Sequence, residues 1–356
     1  QGAWRSLSIW HTHHGNFKQA HEALKESEQL SVHMQFDLSQ GIDWLGQADY
    51  AFRRGDISRA REILSQSIAS VEDTGLGIAY RQIMATITSS IGLFDEAEQL
   101  LNEITINLKK RGPSSSLADT WFILANQLLT KDYSRSMHCV EQAIQIDQQL
   151  NDASSEAHHI FEKAWMQAQY RRITNQSPLI TEEIELGFDK ARDILLLDRT
   201  LEGQMQLGSL CDRRGQAYFF AKDWQRCGTW LTLAEELFRE FKLLPSLAFT
   251  LSYQGLALIE LGRTVGIQMY EEAEKRLRES QEILEQIGLQ GVIWRSLFFI
   301  GLCEYEAGRL EVLSSDQQKN RWERANCFLD KAAQKIDQLR GFSDNRSGIY
   351  QQNTWI

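Results

Sequence analysis

Two groups of residues carry ligand-type chemistry at close spacing. His11-Thr12-His13-His14 sets three imidazoles within four residues, and Glu156-Ala157-His158-His159 sets a carboxylate three residues ahead of a histidine. Imidazole is the commonest metal ligand, and a Glu-x-x-His step on one helix face is part of the ligand set of di-iron bundles. Neither group is completed. No carboxylate or cysteine near His11 finishes a zinc site, and imidazoles at a helix end suit the negative pole of the dipole. No second Glu-x-x-His stands at a matching place, so residues 156–159 read as a solvated helix face.

Nucleophilic and phosphate chemistry are no better supplied. Cys139, Cys211, Cys227, Cys303 and Cys327 stand singly, without a C-x-x-C pair, and all eight histidines lie before residue 160. His138 and Cys139 are adjacent, but neighbours along a helix point apart. Gly75-Leu76-Gly77 lacks the lysine and third glycine of a phosphate loop. The expectation is a chain with no catalytic residue, no metal and no cofactor, and hence no enzyme.

Charge narrows the partners. Lys and Arg number 38 against 48 Asp and Glu, a net charge of −10 over 356 residues, which repels phosphate and disfavours nucleic acid. The basic clusters Arg53-Arg54, Lys109-Lys110-Arg111, Arg171-Arg172 and Arg213-Arg214 read as helix ends, where cations complement the dipole. Scattered, odd-numbered cysteines imply reduced thiols and a cytoplasmic setting. The longest apolar run, Ser296–Cys303, is too short to span a bilayer.

The elements that must position any site are helices. Only three prolines occur, far below the usual ~5%, and Pro113, Pro178 and Pro245 fall where helices are expected to start or stop. A phrase then recurs: a turn, an aromatic or branched residue, and a small residue three positions later. Gly15-Asn16-Phe17 leads to Ala20, Gly55-Asp56-Ile57 to Ala60, and Gly92-Leu93-Phe94 to Ala97. Lys131-Asp132-Tyr133 leads to Ser136 and Lys222-Asp223-Trp224 to Cys227. Looser copies pair Phe188 with Ala191, Tyr270 with Ala273 and Trp322 with Ala325. Seven residues before the turn another small residue recurs, at Ala48, Ala85, Gly215, Gly255 and Gly301. Such a residue lets the second helix approach the first.

This pattern resembles the tetratricopeptide repeat, and in phase it covers nearly the whole chain. Trp4 and Trp44 stand at the family's tryptophan position and Tyr218 at its aromatic one. The small-residue landmarks are spaced by 40, 37, 39, 55, 36, 46 and 52 residues, against the usual period of ~34. The long steps are expected to hold insertions between the two helices of a repeat, at Arg171–Gly187, Arg263–Met269 and Arg309–Arg321. Repeats stretched to ~40 residues are similar to the sensor arms of STAND-type bacterial regulators and the arms preceding CHAT proteases. The implied fold is all-α: a right-handed α-solenoid of about eight antiparallel helix pairs over residues 1–340. Residues 341–356 would be a tail, a linker or a truncated next repeat. The opening at Gln1, already inside a helical pattern, is expected to mark a segment of a longer protein.

In that family the first helix of each repeat lines a concave groove at fixed offsets before the turn. Three before it stand Phe52, Phe219 and Tyr305; six before it, Gln216; ten before it, Arg5, Trp121, Asp212 and Phe298. Arg53 follows Phe52 and would orient an acidic ligand. The lysine and asparagine of repeats that clamp a C-terminal carboxylate are missing at these offsets, which argues against chaperone tails. The resemblance therefore implies a non-catalytic interaction or sensor scaffold of bacterial signalling or defence. Its partner would be a protein or peptide segment, or an effector domain of the same polypeptide, held by the groove and the insertions. The alternative is the small-ligand sensor arm of a STAND-type regulator.

Overall fold

A computed structural model describes residues 57–71, 76–90, 93–287, 289–310 and 312–341, with isolated positions between 11 and 51. Thirteen helices are described: α1 (Ile57–Val71), α2 (Leu76–Ser90), α3 (Phe94–Lys109), α4 (Ser115–Leu128), α5 (Tyr133–Leu150), α6 (Ala153–Ile173) and α7 (Glu182–Leu197). They continue with α8 (Leu201–Phe220), α9 (Trp224–Glu240), α10 (Leu244–Val265), α11 (Ile267–Gln286), α12 (Gln290–Gly308) and α13 (Ser315–Gly341). No strand occurs among the described residues. Each even-numbered helix pairs with the next odd one, and successive pairs stack, giving the expected tetratricopeptide-like solenoid.

Local chemistry sets the helix starts. The side chains of Ser114, Asp132, Asp152, Thr181, Thr200 and Asp223 each accept a hydrogen bond from the backbone N–H three residues on, which satisfies a donor the helix leaves open. The aromatic of the recurring phrase is the first residue of the second helix, at Phe94, Tyr133 and Trp224. Lys222 lies in the left-handed region at φ 59°, in the place that glycine holds in the first three copies.

The landmarks do the packing assigned to them. Ala20, Ala60, Ala97, Ser136, Ala191, Cys227, Ala273 and Ala325 are at most 1% exposed. Opposite them, a Cβ on Gly255 would lie 2.6 Å from Leu277 Cγ, and one on Gly301 2.9 Å from Leu329 Cγ. The helix pairs close over these glycines.

The insertions are not the loops expected. In the fifth copy α6 itself runs on to Ile173, leaving the connection 174–181 with Pro178 in it. In the seventh, α10 and α11 are joined by Gly266 alone. In the eighth, α12 ends at Gly308 and α13 begins already at Ser315. Most of the extra residues lengthen helices, and the ends they add, such as Ile173 and Val265, stand exposed.

Candidate ligand-binding groove

The even-numbered helices present one continuous face. On α10, Phe249, Tyr253, Leu256 and Glu260 follow each other at steps of four, three and four. On α12, Val292, Arg295, Phe299 and Leu302 do so at three, four and three. Such steps keep side chains on one side of a helix. These two stripes, with Phe219 and Phe220 at the end of α8 and Arg172 at the end of α6, enclose a cavity of about 260 Å³.

The cavity is aromatic with cationic edges. Tyr253 packs edge-on against Phe219 and Phe220, at 5.7 and 6.3 Å between ring centroids. The Arg172 guanidinium lies 4.0 Å from the centre of the Phe220 ring, a geometry in which the ring quadrupole attracts the cation. Burial pulls the Arg172 pKa down and pushes the Tyr253 phenol up. Ser252, Ser280 and Ser296 lie at the back. Ser280 Oγ donates to Ala248 O at 2.7 Å and lies 2.9 Å from Ser252 Oγ. Small hydroxylated side chains let α10, α11 and α12 approach one another there. The Glu260 carboxylate takes Arg263 at 2.7 Å. Arg295 has no ion pair or hydrogen bond among the described residues.

The same face continues toward the N-terminus. Trp165 on α6 meets Phe220 at 6.0 Å, and Arg213 on α8 lies over Trp165 at 5.4 Å while bonding Glu162 at 2.9 Å. His158 meets Gln206 Oε1 at 3.0 Å, and Phe122 on α4 packs on both His158 and His159. The solvated face expected for residues 156–159 is corrected here. His159 is 2% exposed, with Nδ1 2.5 Å from the buried Asp147 Oδ2. A buried polar ring needs such a partner, and an acid 12 residues away on the preceding helix gives no local sequence signal.

The doublet Arg213-Arg214 is likewise not a helix end. It sits within α8, with Arg214 buried between Glu185 and Asp189 and 4.3 Å from the Trp230 ring. Its charges are already matched by carboxylates. A second hollow, of about 300 Å³ between α5, α6 and α7, is rimmed by groups that also pair off, Lys163 with Glu141 and Gln167 with Glu183, both at 2.7 Å.

The sequence-expected groove residues divide. Phe219 lines the cavity. Asp212 and Gln216 come together at 2.6 Å, and Asp212 also accepts from Thr250 at 2.7 Å, so this pair ties α8 to α10. Burial raises the Asp212 pKa, against the lowering pull of Arg213. Trp121 is 9% exposed in the core between α3, α4 and α5, with Lys109 4.5 Å over its ring and His138 at its edge. Phe298 packs against the core beside Phe299, and Tyr305 is 47% exposed and away from the cavity. Arg5, Phe52 and Arg53 lie outside the described residues. The groove stripe runs two, six, nine and thirteen residues before the turn on α10, and six, nine, thirteen and sixteen before it on α12, rather than three, six and ten. Within these two stripes only the six-residue offset coincides, although Phe219, three before its turn, and Ser252, ten before, also line the cavity. Each one-residue error rotates a side chain by about 100°. The residues missed are Arg172, Phe220, Tyr253, Arg295 and Phe299; the spacing of Phe249, Tyr253, Leu256 and Glu260 is the signal that would have found them.

The cysteines offer no nucleophile at this face. Burial pushes the Cys139 thiol up to about 11 and those of Cys211, Cys227 and Cys303 to about 12, which suppresses the reactive thiolate. Among the described residues no three His, Cys, Asp or Glu side chains are grouped to hold a metal ion, and no helix is long and apolar enough to cross a membrane.

Comparison with known proteins places the architecture. No family model and no curated protein matches the chain. Among solved structures it is similar to a Rap protein crystallised with Competence and Sporulation Factor, at 14% identity and a TM-score of 0.58, over 92% of this chain and 82% of that one. It is also similar to a STAND protein with a tetratricopeptide repeat sensor from Pyrococcus horikoshii, at 12% identity and a TM-score of 0.51, over 92% of this chain and 49% of that one. At these identities the likeness is one of fold. The chain is an all-α, tetratricopeptide-like helical-repeat solenoid.

Proposed function

We propose that this solenoid is a non-catalytic interaction scaffold that holds a protein segment along the face of its even-numbered helices. The observation that carries the reading is the continuity of that face. Phe122, Trp165, Phe220 and Tyr253 follow one another across α4, α6, α8 and α10, and each of these helices adds polar or cationic groups beside its ring. Aromatics and arginine are the side chains that most often dominate interface energy. The Rap neighbour was crystallised with a bound factor and the STAND neighbour carries a repeat sensor, which supports a receptor role on this fold. The reading assigns no catalytic step and no cofactor. It places the chain in the cytoplasm, consistent with five free cysteines. Residues 341–356 would link it to whatever effector it serves.

The test is selection of peptides from a random displayed library by the purified protein, followed by affinity measurement with Trp165→Ala and Phe220→Ala. Selected peptides should lose about tenfold or more in both variants while the circular dichroism melt shows that both remain folded. Binding unaffected by either substitution would remove the groove from the function. The enclosed cavity also favours the second reading, a small-ligand sensor, which predicts recovery of no peptide at all.

A further inference from the structure

Within that groove we propose that the cavity between α8, α10 and α12 is a specificity pocket for an acidic segment of a protein partner. It takes one aromatic or branched side chain into the cavity and a neighbouring carboxylate onto Arg295. This rests on the groove reading above and adds the chemistry of the segment. At about 260 Å³ the cavity is sized for one large side chain rather than for a helix or a cofactor. Its apolar wall, with Phe220, Tyr253, Leu256 and Phe299, rewards burial of a ring, and edge-to-face contacts add to area burial.

The anion follows from charge. Of the other groove-facing arginines of the even-numbered helices, Arg172 lies over the Phe220 ring and Arg213 is matched by Glu162. The flanking α8 and α10 arginines, Arg214 and Arg263, are also held by carboxylates, of Glu185 and Glu306. Arg295 lines the cavity and has no ion pair or hydrogen bond among the described residues. On a chain of net charge −10 such a guanidinium beside an apolar cavity is a local attractor for a carboxylate. The one acid on the wall, Glu260, is occupied by Arg263. An extended segment is favoured over a free acid because the cavity is not isolated. Phe220, in its wall, touches Trp165, and the aromatic face runs on from there.

The probes are three small molecules. They are the blocked pentapeptide Gly-Asp-Phe-Asp-Gly with acetylated and amidated ends, its Asn-for-Asp counterpart, and N-acetylphenylalanine. Binding is read by fluorescence or calorimetry at low and at 0.5 M salt. The acidic peptide should bind about tenfold more tightly than the neutral one at low salt. Salt and Arg295→Gln should each erase the difference, and Leu256→Trp, which fills the cavity, should abolish binding of both peptides. Equal binding of acidic and neutral peptides by the wild type overturns the role of Arg295, and binding of neither overturns the pocket. N-acetylphenylalanine binding as well as the acidic peptide overturns the commitment to a protein segment. Library peptides that still depend on Trp165 but ignore Arg295→Gln and Leu256→Trp would sink this proposal alone and leave the groove reading standing.

Discussion

His159 on α6 and Asp147 on α5 are both almost wholly buried, and their Nδ1 and Oδ2 atoms lie 2.5 Å apart. Each supplies the partner that the other would otherwise lack. Asp147→Ala should therefore cost about 3 kcal/mol, because it strands a buried ring. The double variant Asp147→Ala/His159→Leu should cost clearly less than the two single changes summed. Denaturant melts of the cycle check this; simple additivity would mean the contact carries no coupling.

His158, next along the helix, sets a pH dependence. Burial holds its imidazole below the ordinary value of 6.5, with the Glu162 carboxylate opposing. The unfolded chain takes up this proton more readily than the folded one. Its contribution to stability is thus complete above about pH 6.5 and is lost as pH falls from there through the depressed value. His158→Gln should flatten the fall in melting temperature between pH 7.5 and 5.5. An unchanged slope would exclude His158 as its source.

Packing gives a contrast between two glycines. A methyl group at Gly255 would meet Leu277 Cγ at 2.6 Å, whereas at Gly228 it would meet nothing within 4 Å. Gly255→Ala should lose about 1–3 kcal/mol through overpacking. Gly228→Ala should gain up to about 1 kcal/mol through helix propensity alone. Similar melts for both would show that the two helices are looser than they are drawn.

Trp121 and Tyr305 make a second contrast. Buried Trp121→Ala should lose about 3–5 kcal/mol, while exposed Tyr305→Ala should stay within about 0.5 kcal/mol. Neither should alter the affinity of selected peptides in the folded protein. A Tyr305→Ala variant that binds tenfold less tightly would restore the groove offsets expected from the sequence.

Thiol titration tests burial directly. Four cysteines are buried and Cys327 is exposed, so a thiol reagent at neutral pH should modify one group quickly and all five after denaturation. Rapid reaction of a second thiol in the native protein would place one helix pair wrongly.

The repeat was legible because its constraint is local. A small residue three places after a turn aromatic is required wherever two helices close, and all eight such landmarks, from Ala20 to Ala325, are buried. The groove was legible only in part. Phe219 was found and Tyr253 was missed, since a helix face turns by about 100° per residue and an offset wrong by one points elsewhere. Contacts such as His159 with Asp147 or Arg213 with Glu162 join residues on different helices, and nothing in either local sequence announces the partner. The insertions misled for a related reason. Counting residues between landmarks measures length but cannot separate a loop from an added helical turn. The insertion expected at Arg309–Arg321 illustrates the difference: Ser314 and Gln317 cap each other reciprocally at the start of α13, so from Ser315 onward it is helix rather than loop.

A superhelix stretches like a spring, and a spring yields where its wire is softest. With Gly266 alone between them, at φ 118°, α10 and α11 turn about one pair of torsions that only glycine adopts comfortably. The connection 174–181 between α6 and α7 has many more. Under tension the coil built on α10 and α11 should behave as a stiff elbow, with extension taken up nearer the N-terminus. Pulling the chain from its two ends should accordingly release the α6–α7 pair before the α10–α11 pair.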